Sequence, residues 1–243
     1  MSTIEQVVDI ETSDGAMAAV KHLPDAPGAH RAVIVIMEAF GLNDNIGGIA
    51  RRFAEQGYIA IAPDLFHRSG RMNYAPYDKL MEYREQLRKG FSDTTIVSDV
   101  AATVRHLQAD PNVIGPVGIV GFCLGGRVAY MSAAAVDGIG AAASFYPGNM
   151  FPEDGSYSAV DDAARIQIPL LGCFGEDDGN PSPAMIKKVD AALTTHGIEH
   201  SFHSYAGASH GFFCDDRDSY RAEAAQDAWS KTLAFFAEKL TSK

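Results

Sequence analysis

The chain has 243 residues, 47% hydrophobic and 21% charged, which is the balance of a globular protein and excludes a disordered or fibrous one. Asp plus Glu number 31 against 20 Lys plus Arg, a net charge of −11, and this argues against nucleic acid and anionic membrane as partners because both need a positive field. A single domain over residues 1–243 is expected, since α/β folds reach about 250 residues as one unit and such a unit buries enough apolar surface to need no disulfide or metal staple.

In chain order, Val7–Ile10 and Met17–Lys21 flank Ser13-Asp14-Gly15 and predict a hairpin. Ala32–Met37 is an uninterrupted apolar run bounded by turn residues, the pattern of a strand buried on both faces. Ile59–Ala62, Val117–Val120 and Leu170–Phe174 repeat it. Ala141–Tyr146 is a weaker fifth run and His200–Tyr205 a sixth with polar interruptions. Between them lie helical patterns. Asp78–Lys89 reads as a polar helix after the Ala75-Pro76 turn. Ile96, Val97, Val100, Val104 and Leu107 share one helical face behind Ser92 or Asp93 as cap. Val128–Ala135, Ala184–Thr195 and Ser219–Leu240 also read as helix. Strands alternating with helices predict an α/β fold with a mostly parallel central sheet covered on both faces, whose functional residues follow the carboxyl ends of the strands.

After Val117–Val120 comes Gly121-Phe122-Cys123-Leu124-Gly125-Gly126, a G-x-S-x-G nucleophile elbow with Cys in place of Ser. The sharp turn requires small neighbours two residues either side, and the helix that follows favours a thiolate at its N-terminus. After Leu170–Phe174 comes Gly175-Glu176-Asp177-Asp178. A triad acid belongs there, and Asp177 is the choice, with Asp178 or Glu176 capping the loop or solvated. After His200–Tyr205, His210 sits in a small-residue loop before the last helix, where the base belongs. His200 and His203 are expected on the solvent face of their strand, and His67 as a polar loop residue. After Ala32–Met37, the backbone N–H of Ala39 is the candidate second oxyanion donor beside that of Leu124. Glu38 is odd there, because a carboxylate repels developing negative charge. It is either a solvated loop acid or a group that acts on the thiol.

The three cysteines show no paired spacing, so neither a disulfide framework nor a zinc pattern is predicted, and no histidine pair marks a metal. Cys173 closes an apolar strand and is expected to be buried, whereas Cys214, in a loop, is expected to be more exposed. No cofactor is expected. The acidic, polar N-terminal segment is unlike a signal peptide and no apolar run is long enough to span a membrane, so a cytoplasmic protein is expected.

These residues together resemble the dienelactone hydrolase (carboxymethylenebutenolidase) family of α/β-hydrolases. The stretches that carry the resemblance are VIVIMEAFGLN at 33–43, GYIAIAPDLF at 57–66, VGIVGFCLGG at 117–126 and the loops around Asp177 and His210. The resemblance implies a Cys123–His210–Asp177 triad. It also implies that Glu38 holds the cysteine largely neutral until substrate displaces it, in keeping with the way a nearby negative charge disfavours a thiolate. The family grips a substrate carboxylate with two arginines. One lies in an R-E-Q segment, matched here by Arg84-Glu85-Gln86. The other lies four residues after the histidine, where this chain has Cys214, with Arg217 three residues further as a possible substitute. The function implied is hydrolysis of a small lactone or enol ester through a thioester at Cys123. The alternatives are a general carboxylesterase or thioesterase acting on neutral esters, or a binding member of the fold that does not catalyse.

Overall fold

The computed structural model describes residues 2–241. Its hairpin, β1 (Thr3–Thr12) and β2 (Gly15–Pro24), pairs antiparallel with Thr12 opposite Gly15, as the Ser13-Asp14-Gly15 turn predicts. The remaining strands are β3 (Ala32–Ile36), β4 (Ile59–Pro63), β5 (Val117–Phe122), β6 (Ile139–Phe145), β7 (Leu170–Gly175) and β8 (His200–Tyr205). They complete an eight-stranded sheet in the order β1-β2-β4-β3-β5-β6-β7-β8. The hairpin joins β4 antiparallel, and every pairing from β4 to β8 is parallel. This is the expected α/β-hydrolase arrangement.

Every residue of β3, β4 and β5 is buried, whichever face its side chain points to, so helices must cover both sides. Helix α1 (Asp44–Glu55) has no counterpart among the predicted elements. Asn43 caps it by accepting the Ile46 N–H at 3.2 Å, and Ile46, Ile49, Ala50 and Phe53 form its buried stripe. Phe53 packs edge-to-face on Trp229, ring centroids 4.6 Å apart, and so joins α1 to the C-terminal helix α7 (Ala222–Lys239). Helix α2 (Leu80–Leu87) follows a 3-10 turn at Tyr77–Lys79 and buries only Leu87. Helix α3 (Asp93–Gln108) starts at a reciprocal Ser92–Thr95 capping box, which selects Ser92 over Asp93 as its cap. Helix α4 (Leu124–Ala135) is the helix of the elbow, α5 (Ala159–Ala163) is short, and α6 (Pro183–Thr195) is capped by Ser182. Among the described residues no helix is long and apolar enough to cross a membrane.

Candidate active site

The turn between β5 and α4 is as sharp as the motif demands. Cys123 has φ 55° and ψ −115°, a conformation L-residues rarely adopt. Its flanking glycines explain how the turn is accommodated. A Cβ on Gly121 would lie 1.9 Å from the Gly125 carbonyl oxygen, and one on Gly125 would lie 2.4 Å from the Ile36 carbonyl oxygen. The carbonyl of Cys123 accepts the N–H groups of Gly126 and Gly148, at 3.0 and 3.1 Å. The side chain, partly exposed, enters a cavity of about 350 Å³ lined by Ala39, Arg88, Leu124, Asn180 and His210 among others. Both residues expected to supply oxyanion donors, Leu124 and Ala39, therefore border the same space as the thiol.

His210 meets a carboxylate, but not the expected one. Its Nδ1 lies 2.9 Å from Asp178 Oδ2, while Asp177 is exposed. The loop geometry accounts for the shift of one residue. After β7 the backbone stays tied to the end of β8 and the loop that follows it, Glu176 N–H donating to Tyr205 O and Asp177 N–H to Ala208 O, at 3.0 and 2.9 Å. Only at Asp178, whose N–H turns back to Gly175 O, does the side chain face inward, and it is buried. Its second oxygen, Oδ1, accepts the Asn180 N–H at 2.8 Å, which fixes the carboxylate for the imidazole. Burial of the His210 ring works against its cation, but the hydrogen bonds to Asp178 and to the Cys123 sulfur outweigh it and push the pKa up to about 10.

Glu38 is not a solvated loop acid. It is 2% exposed; burial raises its pKa, and the positive charges of Arg217 and His210 oppose the rise. Arg217 Nη1 donates to Glu38 Oε1 at 3.3 Å, and Oε2 is buried with no hydrogen-bond partner among the described residues. Gly211 makes this pairing possible, since a Cβ there would come within 2.2 Å of Arg217 Nη1. Cys214, expected to be exposed, is buried beside the pair and meets the Tyr77 hydroxyl at 3.2 Å. Cys173 is fully buried, as its place in β7 predicts.

Arg84 is exposed and does not line the cavity; Arg88, one helical turn further on, does. The polar helix has no apolar stripe to mark its inner face, so the sequence could not show which arginine turns inward. Tyr146 is a second residue the sequence did not flag. It follows β6 with φ 34°, is fully buried, and sets its ring against His210 at 5.2 Å between centroids. The apolar run Ala141–Tyr146 predicts Tyr146 as the last strand residue, whereas the strand ends at Phe145 and leaves Tyr146 just past it, where functional residues gather. His67 lies outside the cavity, in a cluster with Asp14 and Asp99 whose ligand atoms fall within 4.8 Å of one another. Arg68 already serves both carboxylates there, reaching Asp14 at 2.5 Å and Asp99 at 2.6 Å, so the guanidinium takes the place a metal ion would need.

The elbow cysteine and the carboxylate-backed histidine line one cavity on a sheet of α/β-hydrolase type. The model of the dienelactone hydrolase family matches residues 17–240, and the chain belongs to that family, as a carboxylic-ester hydrolase. A carboxymethylenebutenolidase homologue from Synechocystis sp. is 37% identical over 229 residues, covering 89% of each chain. A Bradyrhizobium sp. homologue, named as a lactonase of 2-oxo-3-(5-oxofuran-2-ylidene)propanoate, is 29% identical over 97% of this chain and 95% of its own. Among solved structures, a dienelactone hydrolase homologue from Klebsiella pneumoniae superposes with a TM-score of 0.88 at 29% identity, covering 98% of this chain and all of that one.

Proposed function

We propose that the protein hydrolyses a small lactone or enol ester by covalent catalysis at Cys123, with His210 as base and acid and Asp178 as the carboxylate that orients it. The observation that carries this reading is the convergence of the elbow thiol and the Asp178-backed imidazole on one cavity. The Cys123 thiolate attacks the carbonyl carbon, and the N–H groups of Leu124 and Ala39 receive the oxyanion. Collapse breaks the ring C–O bond, and the departing enolate takes its proton from the His210 imidazolium, which leaves the ring neutral for the next step. Water, giving a proton to His210, then attacks the thioester, and Cys123 leaves as thiolate. A thiolate is itself a good leaving group, so an activated ester or lactone suits this nucleophile better than an amide. Asp178 keeps the imidazole in the tautomer and orientation that both steps need.

Arg88 is the group we assign to a substrate carboxylate, in place of Arg84. A guanidinium grips a carboxylate with two parallel hydrogen bonds, so a single arginine suffices to select anionic substrates. A second reading, in which neutral esters are also turned over, is favoured by the surroundings of Cys214. No arginine stands at that position, and Arg217 is committed to Glu38. The test is to measure hydrolysis of 4-carboxymethylenebut-2-en-4-olide and of phenyl acetate, with Cys123→Ala as the blank. Turnover of the lactone that vanishes in the variant supports the proposal; equal turnover in the variant refutes it.

A further inference from the structure

Beyond the reacting groups, the wall of the cavity carries a carboxamide whose orientation is determined. Asn149 lies in the left-handed region, φ 59°, a conformation that asparagine tolerates better than most residues. That turn aims its backbone N–H at Asn180 Oδ1, 3.3 Å away. A backbone N–H can only donate, so the atom it meets is the carboxamide oxygen, and the Asn180 NH2 group faces the other way. Asn180 and Asn149 both line the cavity at its solvent-exposed rim, so the Asn180 NH2 group is open to whatever enters there. Arg88 lines the same cavity and also only donates. The carboxylate there, Asp178, has one oxygen on His210 and the other on the Asn180 N–H.

We infer that Asn180 is a substrate-binding residue, and that its NH2 group donates to an acceptor oxygen of the substrate remote from the bond being cleaved. The inference rests on the proposed function, because the substrate must occupy this cavity. It adds a second donor beside Arg88, at the rim formed by residues 149 and 180, for an acceptor group of that substrate.

The test compares the anionic lactone 4-carboxymethylenebut-2-en-4-olide with phenyl acetate, which has no such second group. The readout is the ratio of their kcat/KM values in the wild type, Asn180→Ala and Asn180→Asp. Asn180→Asp keeps an oxygen for the Asn149 N–H and removes the donors, so it separates donation to substrate from support of the rim. A hydrogen bond to a charged group corresponds to about a tenfold effect or more. The lactone-to-ester ratio is expected to fall about tenfold in Asn180→Ala and further in Asn180→Asp, with the loss mainly in KM. An effect routed through Asp178 and His210 would slow both substrates alike and cancel in the ratio. A ratio unchanged in both variants overturns the inference while leaving the proposed function intact. A wild type that hydrolyses neither substrate, or hydrolyses them equally well as Cys123→Ala, overturns both.

Discussion

A buried carboxylate one bond from an imidazole and an exposed one beside it make opposite predictions at the scale of the residue. Asp178 holds His210 at 2.9 Å, so Asp178→Asn leaves the ring free to adopt the wrong tautomer and is expected to lower kcat by about 10⁴-fold. Asp177→Asn, at an exposed position, is expected to lower it less than about twofold. Steady-state rates on one ester settle the pair, and the reverse order would return the acid to Asp177. The sequence placed the acid in the right loop but could not choose within it, because neighbouring aspartates are chemically identical. The choice is made by the backbone ties of Glu176 to the end of β8 and of Asp177 to the loop after it. Glu38 carries a second prediction. Its charge is buried against Arg217, with His210 also acting on it. If that charge restrains the thiolate, Glu38→Gln reacts faster with iodoacetamide and hydrolyses its substrate more slowly. Slower alkylation would instead make Glu38 a base for Cys123.

At the scale of the element, the strands were legible because apolar runs buried on both faces leave no ambiguity about their place in the sheet. The elbow was legible for a related reason: glycines at 121 and 125 are dictated by carbonyl oxygens only 1.9 and 2.4 Å from where a Cβ would stand. Helix α1 is not among the predicted elements, although its signals stand in the residues: Asn43 as cap and Ile46, Ile49, Ala50 and Phe53 at helical spacing. Helix α2 is different. Leu87 is its only buried residue, so nothing in its pattern reveals how it sits, and the R-E-Q match pointed one turn away from the arginine that enters the cavity. This gives a test confined to α2. Arg88→Ala is expected to reduce kcat/KM for the anionic lactone about tenfold or more relative to phenyl acetate, the effect of losing a charge-assisted bond. Arg84→Ala, on the exposed face, is expected to leave that ratio within about twofold. Equal losses in the two variants would mean that α2 contributes to shape and not to recognition.

At the scale of the whole molecule, the site is assembled from parts distant in sequence: the ends of β3, β5, β6 and β7, the loop after β8, and α2. Its charges are linked to folding. The His210 pKa is raised to about 10, above the ordinary imidazole value near 6.5, so the folded state binds that proton more tightly than the unfolded chain does. The stability it contributes is therefore complete below about pH 6.5 and is lost as pH rises through about 10. Urea unfolding of the wild type and of His210→Gln between pH 6 and 10.5 checks the sign. Their stability difference is expected to shrink with rising pH, and a difference that grows would contradict the linkage.

Cys123 Sγ is the atom proposed to become acylated during turnover. Intact-mass and peptide-level mass spectrometry on enzyme quenched in acid during turnover of 4-carboxymethylenebut-2-en-4-olide tests this directly. The expected result is a mass increase equal to one added lactone, located on the peptide that contains Cys123 and removed by hydroxylamine as a thioester. An adduct on any other residue, or unchanged turnover in Cys123→Ala, would contradict it.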